Sequence, residues 1–420
     1  MSYSSDLLAL SPLDHIPAKL FLPYILYFNT ADTQAALSAL QKGIDRLISQ
    51  LPWLTERKSS SPSKSLIFSI GTSETYHQRP VLRFQANIFP GKLIVAMSFW
   101  HSVFDGTGAG VILEAVAECC KSINEELTTN LVRTIAETHA DLRTEVSNFP
   151  SKCITRLDHS VELGTPVFDP NISTEQWNAM ESALASTVET KRYTFSSEKV
   201  AKMKDICVQL MPQLRSSVWI SSNDVITATL AICVDRALHP DRADKIQTAD
   251  FLMAVDLRNR VDPPLPETYL GNSIFPVHDD IYFKEMAGQT GDDADLLHLA
   301  QLALRVRTKL ASMDETLMYS ASAAVTDYED WTKVEAGPAG IIVTSWRGLK
   351  VFSLDFGAGL GHIVDFEPGL TLVPGGCIFL PSRTSQEKSG STPMWEVCIT
   401  LKAGDSQALE KDPLFNRILA

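Results

Sequence analysis

Two side chains capable of proton chemistry stand four residues apart in Trp100-His101-Ser102-Val103-Phe104-Asp105-Gly106. An imidazole titrates near neutral pH, so a fixed one beside a substrate can take or give a proton. The hexapeptide His-x-x-x-Asp-Gly alone leaves two readings open. One is a functional histidine; the other is a satisfied histidine at a strand end, matched by chance. Asp105 completes the residue types of a triad. Its place at a turn heading into a helix instead favours a structural role, because Asp there satisfies unpaired N–H groups of the first turn. Gly106 supplies backbone freedom at the turn and access beside His101.

The flanking elements must position that histidine. Leu93 to Phe99 is a continuous apolar run, bounded by Gly91 before and Asp105-Gly106 after. It reads as a short strand buried on both faces. Beyond Gly108-Ala109-Gly110, residues Val111, Ile112, Ala115, Val116, Cys119, Cys120 and Ile123 recur at helical spacing. His101 therefore belongs where a core strand ends and a turn enters a helix, a place where rigid elements can hold it against a substrate.

The rest of the chain mixes helix and strand patterns. Leu20–Phe28 reads as a strand, and Thr33–Leu51 as an amphipathic helix capped by Asp32 or Thr33. Short strands are expected at Leu66–Ile70 and Val81–Phe84. From Lys121 to Ala185 no period holds, so loops and short helices are expected, with a crossover between lobes near Thr187–Lys191. A strand at Arg192–Phe195 follows. Ser196-Ser197-Glu198 then caps one helix and Asn223-Asp224 another, Val225–Ala237. Phe251–Asp256 reads as a strand and Asp295–Leu310 as a helix. Ile341–Trp346, Val351–Asp355, Gly376–Leu380 and Trp395–Leu401 read as strands. The class is α/β with mixed sheets.

Length and composition bound the answer. The chain of 420 residues suggests two lobes, here 1–190 and 191–420. With 45% hydrophobic residues it can bury a large core. A net charge of -13 makes nucleic acid an unsuitable partner, since phosphate neutralisation needs cations. The 7 cysteines follow no metal or disulfide spacing, so reduced core thiols of a cytoplasmic protein are expected, with no metal. No signal peptide or membrane span is legible, because the apolar run Leu20–Phe28 is short and broken by Pro23. Asn171-Ile172-Ser173 is a glycosylation sequon that this setting leaves idle.

Five separated segments, taken together, resemble the BAHD-type, CoA-dependent acyltransferases. They are Ser98–Gly108 around His-x-x-x-Asp-Gly, Ser222–Ala228, and Asp256-Leu257-Arg258-Asn259-Arg260 with Pro263-Pro264-Leu265-Pro266 and Tyr269-Leu270-Gly271-Asn272. Thr344-Ser345-Trp346 and Asp355-Phe356-Gly357-Ala358-Gly359 complete the set. Gly359-Leu360-Gly361 looks like the fungal branch that includes trichothecene acetyltransferases. The plant branch usually has Trp where this chain has Ala358.

The resemblance implies a fold like chloramphenicol acetyltransferase: two lobes, a sheet in each, and an interlobe channel with His101 midway. It implies acyl-CoA, foremost acetyl-CoA, as co-substrate and a small-molecule alcohol of secondary metabolism as acceptor. His101 would be the general base, since a thioester needs no separate nucleophile. Asp105 would pair with Arg258. Thr344 and Trp346 would face the channel and stabilise the oxyanion, although a Trp of that size is as often core. Asp355, Gly357 and Gly359 would be structural. Arg347 and Arg383 are the cations considered for the CoA phosphates, without an assignment. No permanently bound cofactor is expected, and a monomer is.

Two alternatives stay open. One is a condensation-type domain taking its acyl group from a carrier protein; such domains carry a second His where Trp100 stands. The other is acyl transfer to an amine. A binding protein without turnover is disfavoured by the intact His101, Thr344 and Trp346.

Overall fold

A computed structural model describes residues 10–55, 81–121, 129–156, 163–164, 176, 179, 182–183, 185–240, 249–282, 291–337, 339–369, 374–383 and 393–420. The strand expected at Leu66–Ile70 lies outside the described residues. The first lobe contains β1 (Phe21–Asn29), α1 (Thr33–Gln50), β2 (Leu82–Phe89), β3 (Lys92–Trp100), α2 (Gly106–Lys121) and α3 (Asn130–Ser147). The short α4 (Phe149–Lys152) and β4 (Leu163–Gly164) follow. The second lobe contains β5 (Glu189–Phe195), α5 (Ser197–Leu210), α6 (Ser222–Leu238), β6 (Asp250–Asp256), β7 (Ile274–Asp280), α7 (Asp292–Ala311) and α8 (Glu315–Thr326). Then come β8 (Glu335–Ala336), β9 (Ile341–Ser345), β10 (Asp365–Glu367), β11 (Gly376–Phe379), β12 (Trp395–Leu401), α9 (Ala403–Lys411) and α10 (Pro413–Asn416).

The first sheet has strand order β10-β1-β3-β2. Met97, Val95 and Leu93 of β3 stand opposite Tyr24, Leu26 and Phe28 of β1, and all six are buried. The alternate β3 residues Ile94, Ala96 and Ser98 are only half-buried. The strand is thus sealed on one face and partly covered on the other, not buried on both. Asp32 caps α1 by accepting from the Gln34 and Ala35 N–H groups, and the stripe Ala36, Leu40, Ile44 and Leu47 is buried.

The second sheet has order β5-β12-β11-β9-β6-β7, with β9 parallel to β11 and to β6. Nearly every residue of α6 is buried, as expected of a helix enclosed on all sides. Its cap is Ser221 in a capping box with Asp224, not Asn223-Asp224: Ser221 Oγ accepts from the Asp224 N–H, and the Asp224 carboxylate accepts from the Ser221 N–H.

Other expectations change as well. The Lys121–Ala185 stretch contains the 18-residue α3, and β5 begins within the expected crossover. Val351–Asp355 is not a strand; Val351–Ser353 forms a 3-10 turn. Nor are the lobes the consecutive stretches 1–190 and 191–420. The segment after β9 returns to the first lobe, where β10 pairs antiparallel with β1 and Trp346, Phe356 and Phe366 join its core. Leu13, Ile16, Val146 and Phe149 in turn pack into the core of the second lobe.

Candidate active site

The β3–α2 connection holds His101 by its backbone and its ring. The His101 N–H donates to the Leu20 carbonyl at 3.0 Å, and its own carbonyl accepts from Asn272 Nδ2 at 2.8 Å. Nδ1 lies 3.1 Å from the Phe104 carbonyl. A carbonyl can only accept, so Nδ1 carries the proton of the neutral ring and Nε2 keeps its lone pair. Among the described residues Nε2 has no hydrogen-bond partner. Burial lowers the imidazole pKa, and the negative charge of Asp105 offsets part of that effect. The ring is therefore neutral at neutral pH, with one nitrogen open to accept a proton.

Asp105 is fully buried and its carboxylate is engaged elsewhere than at the ring. Oδ1 accepts from the Gly108 N–H at 2.8 Å and from Arg258 Nη2 at 2.9 Å. Oδ2 accepts from Arg258 Nη1 at 2.9 Å and from the Ser273 N–H at 3.0 Å. The carboxylate thus caps α2 and binds the second lobe at once. Arg258 also donates to Asp256 and to the carbonyls of Tyr269 and Gly271. Burial would lower the Arg258 pKa, but Asp105 and Asp256 outweigh it and push it up.

Gly106 opens α2, and a Cβ there would lie 2.5 Å from Trp346 Nε1, so only glycine admits the indole. The Tyr24 hydroxyl donates to the Gly106 carbonyl at 2.7 Å. Trp346 packs edge-on against Tyr24 and Phe366, with ring centroids 5.0 and 6.0 Å away. It is a core residue of the first lobe delivered by a strand of the second. Thr344 pairs with Ile378 in the parallel β9–β11 register, so both side chains point to one face of the sheet. Ile378 packs in the first-lobe core, whereas Val343 and Cys377 pack in the second. Thr344 thus lies on the sheet face turned toward the first lobe.

The Asp355 loop is a fastening. Asp355 accepts from the Gly357 N–H and pairs with Lys121 at the end of α2, which lowers its pKa. Gly357 takes φ +84 and Gly359 stands against Ala39. The two cations considered for CoA phosphates are occupied. Arg383 bonds Glu396 and Asp365 at 2.6 Å each, and Arg347 stacks on Trp395 at 3.8 Å while donating to the Met394 and Pro393 carbonyls.

Three residues of the site carried no functional signal in the sequence. Asp14, Arg143 and Asn272 form a second buried polar group behind the histidine turn. Asn272 stood in a segment marked by resemblance, without a role. Asp14 and Arg143 are 129 residues apart and no local pattern joins them.

Two sheets joined by a crossing segment, with a neutral histidine at a strand end, define a two-lobed acyltransferase fold of the chloramphenicol acetyltransferase type. TRI101 of F. sporotrichioides, complexed with coenzyme A and T-2, has this fold, with a TM-score of 0.71 at 16% identity over 98% of this chain and 99% of that one. Vinorine synthase aligns with a TM-score of 0.62 at 16% identity over 100% of this chain and 95% of that one. The sequence pattern of the Transferase family matches residues 49–415. The chain belongs to that family, the BAHD acyltransferases, and is an acyl-CoA-dependent O-acyltransferase. It is 28% identical to the fumigaclavine B O-acetyltransferase of Penicillium roqueforti over 98% of this chain and 97% of that protein. It is 27% identical to the communesin N16 acyltransferase of Penicillium expansum over 98% of both.

Proposed function

We propose that the protein transfers an acetyl group from acetyl-CoA to a hydroxyl of a small secondary metabolite, with His101 as general base. The observation that carries this reading is the His101 ring, held with Nδ1 3.1 Å from the Phe104 carbonyl, which leaves Nε2 free to accept a proton. Nε2 accepts the hydroxyl proton as the alcohol oxygen attacks the thioester carbonyl. This reading assigns the tetrahedral oxyanion to the Thr344 hydroxyl and to the Trp346 indole N–H, which lies beside Gly106 at the end of the histidine turn even though the ring packs in the core. Collapse of the oxyanion breaks the C–S bond, and the imidazolium returns the proton to the CoA thiolate. Asp105 and Arg258 hold the turn and take no part in proton transfer.

The donor and acceptor classes rest on the names of the relatives, among them the fumigaclavine B O-acetyltransferase. The communesin N16 acyltransferase, by its name, favours a second reading in which the acceptor is an amine. The free thiols suit a reducing cytoplasmic setting. Thiol release from acetyl-CoA, measured across a panel of polycyclic alcohols and amines, tests both readings. Release with alcohols supports the first, and release with amines alone supports the second. Release with neither, alongside activity on a carrier-bound acyl group, overturns both.

A further inference from the structure

We infer that Asn272, Asp14 and Arg143 form a positioning relay for His101, an inference that rests on His101 acting as the base. Asn272 Nδ2 is bound at once to the His101 carbonyl at 2.8 Å and to Asp14 Oδ1 at 3.0 Å. The Asn272 N–H also donates to Asp14 Oδ1, at 2.9 Å. Asp14 Oδ2 accepts from Arg143 Nη1 at 2.7 Å and from the N–H and hydroxyl of Ser11 at 2.8 Å each. Arg143 Nη2 closes the circuit by donating to the Val103 carbonyl at 2.7 Å. The turn after β3 is thereby gripped at the carbonyls of His101 and Val103, while the His101 ring itself is held at the carbonyl of Phe104.

Asp14, Arg143 and Asn272 are buried, at 0%, 3% and 0% exposure, so they act behind the turn rather than on a substrate. Buried charges hold geometry well when their hydrogen bonds are filled, as those of Asp14 are. The relay is separate from the Asp105–Arg258 pair, yet the two meet in one segment. Arg258 holds the carbonyls of Tyr269 and Gly271, Asp14 holds Asn272, and Asp105 holds the N–H of Ser273. Residues 269–273 therefore join the two clamps behind the turn that carries His101.

A shift of about 1 Å in a reacting group can lower a rate about a hundredfold. Asn272→Ala should therefore reduce kcat about ten- to a hundredfold, with the KM for acetyl-CoA unchanged and cooperative melting retained. The decisive measurement is the same substitution in a His101→Ala background. A residue that acts through the imidazole has nothing left to position there, so the residual rate should change less than about twofold. Arg143→Lys provides a second variant, because one ammonium cannot span Asp14 and Val103 as the guanidinium fork does. It should show the same coupling to His101. Equal losses with and without His101, or full kcat in Asn272→Ala, overturn the relay. Failure of the base reading is visible separately, as an active His101→Ala single variant.

Discussion

Asp105 and Arg258 face one another through two hydrogen bonds of 2.9 Å, with side chains 0% and 4% exposed. The pair joins the start of α2 in one lobe to the strand β6 end in the other. It therefore fixes the lobes at the point where the histidine turn must be aimed.

Asp105→Asn leaves the Arg258 charge buried without its main counter-ion. Breaking a buried pair from one side costs about 3–5 kcal/mol. The expected outcome is a large drop in melting temperature, with kcat partly retained below the new transition. Unchanged melting combined with lost activity would return Asp105 to a catalytic role.

The sequence disclosed local order better than long-range contact. The helices α1, α2, α5 and α7 were legible because a stripe of apolar side chains marks each one, and α6 because an apolar run follows a polar cap. In α3 the buried positions are only Val132, Ile135, Arg143 and Val146, and a buried arginine breaks the stripe. The three-residue strand β10 is defined by its partner β1, with Tyr27 opposite Asp365. No local pattern can announce a pairing across that separation. At the site, His101, Asp105 and Arg258 stood in recognisable segments. The relay residue Asp14 closes a capping box with Ser11, a local contact that does not point to Arg143 or Asn272.

Gly106→Ala should act through Trp346. The added Cβ would fall 2.5 Å from Nε1 and 2.9 Å from Cδ1 of the indole. Overpacking of this kind costs about 1–3 kcal/mol. In a Trp346→Phe background the smaller ring removes the clash, so the double variant should melt above the value that the two single variants predict together. Strict additivity by calorimetry would show that the glycine serves some other constraint.

The pH dependence follows from the direction of the His101 shift. Burial depresses the folded pKa, so kcat/KM should rise with pH through a value below the ordinary imidazole figure of about 6.5 and then stay level through neutrality. Asp105 raises the His101 pKa, so Asp105→Asn should move this limb to lower pH. Stability has the same sign. The folded ring binds a proton less readily than the unfolded one, so its contribution is full above about 6.5 and is lost as pH falls toward the folded pKa. A limb displaced above 6.5 would contradict the burial argument.

His101→Ala tests the base itself. The substitution removes an imidazole whose Nε2 is open, while the turn keeps the backbone bonds to Leu20 and Asn272. The lobes should stay joined, because Asp105, Arg258, Asp14 and Arg143 are untouched. General-base catalysis contributes about a hundred- to ten-thousandfold, roughly 3–5 kcal/mol of barrier. The loss should fall on kcat, with the Kd for acetyl-CoA nearly unchanged, because the ring acts on the acceptor hydroxyl and not on the nucleotide. The pH limb assigned to His101 should vanish together with the rate. Single-turnover rates and calorimetric titration of acetyl-CoA, run on both proteins at several pH values, separate the two terms. A variant that stays within a few-fold of the parent kcat and keeps the same pH limb would mean that another group takes the proton.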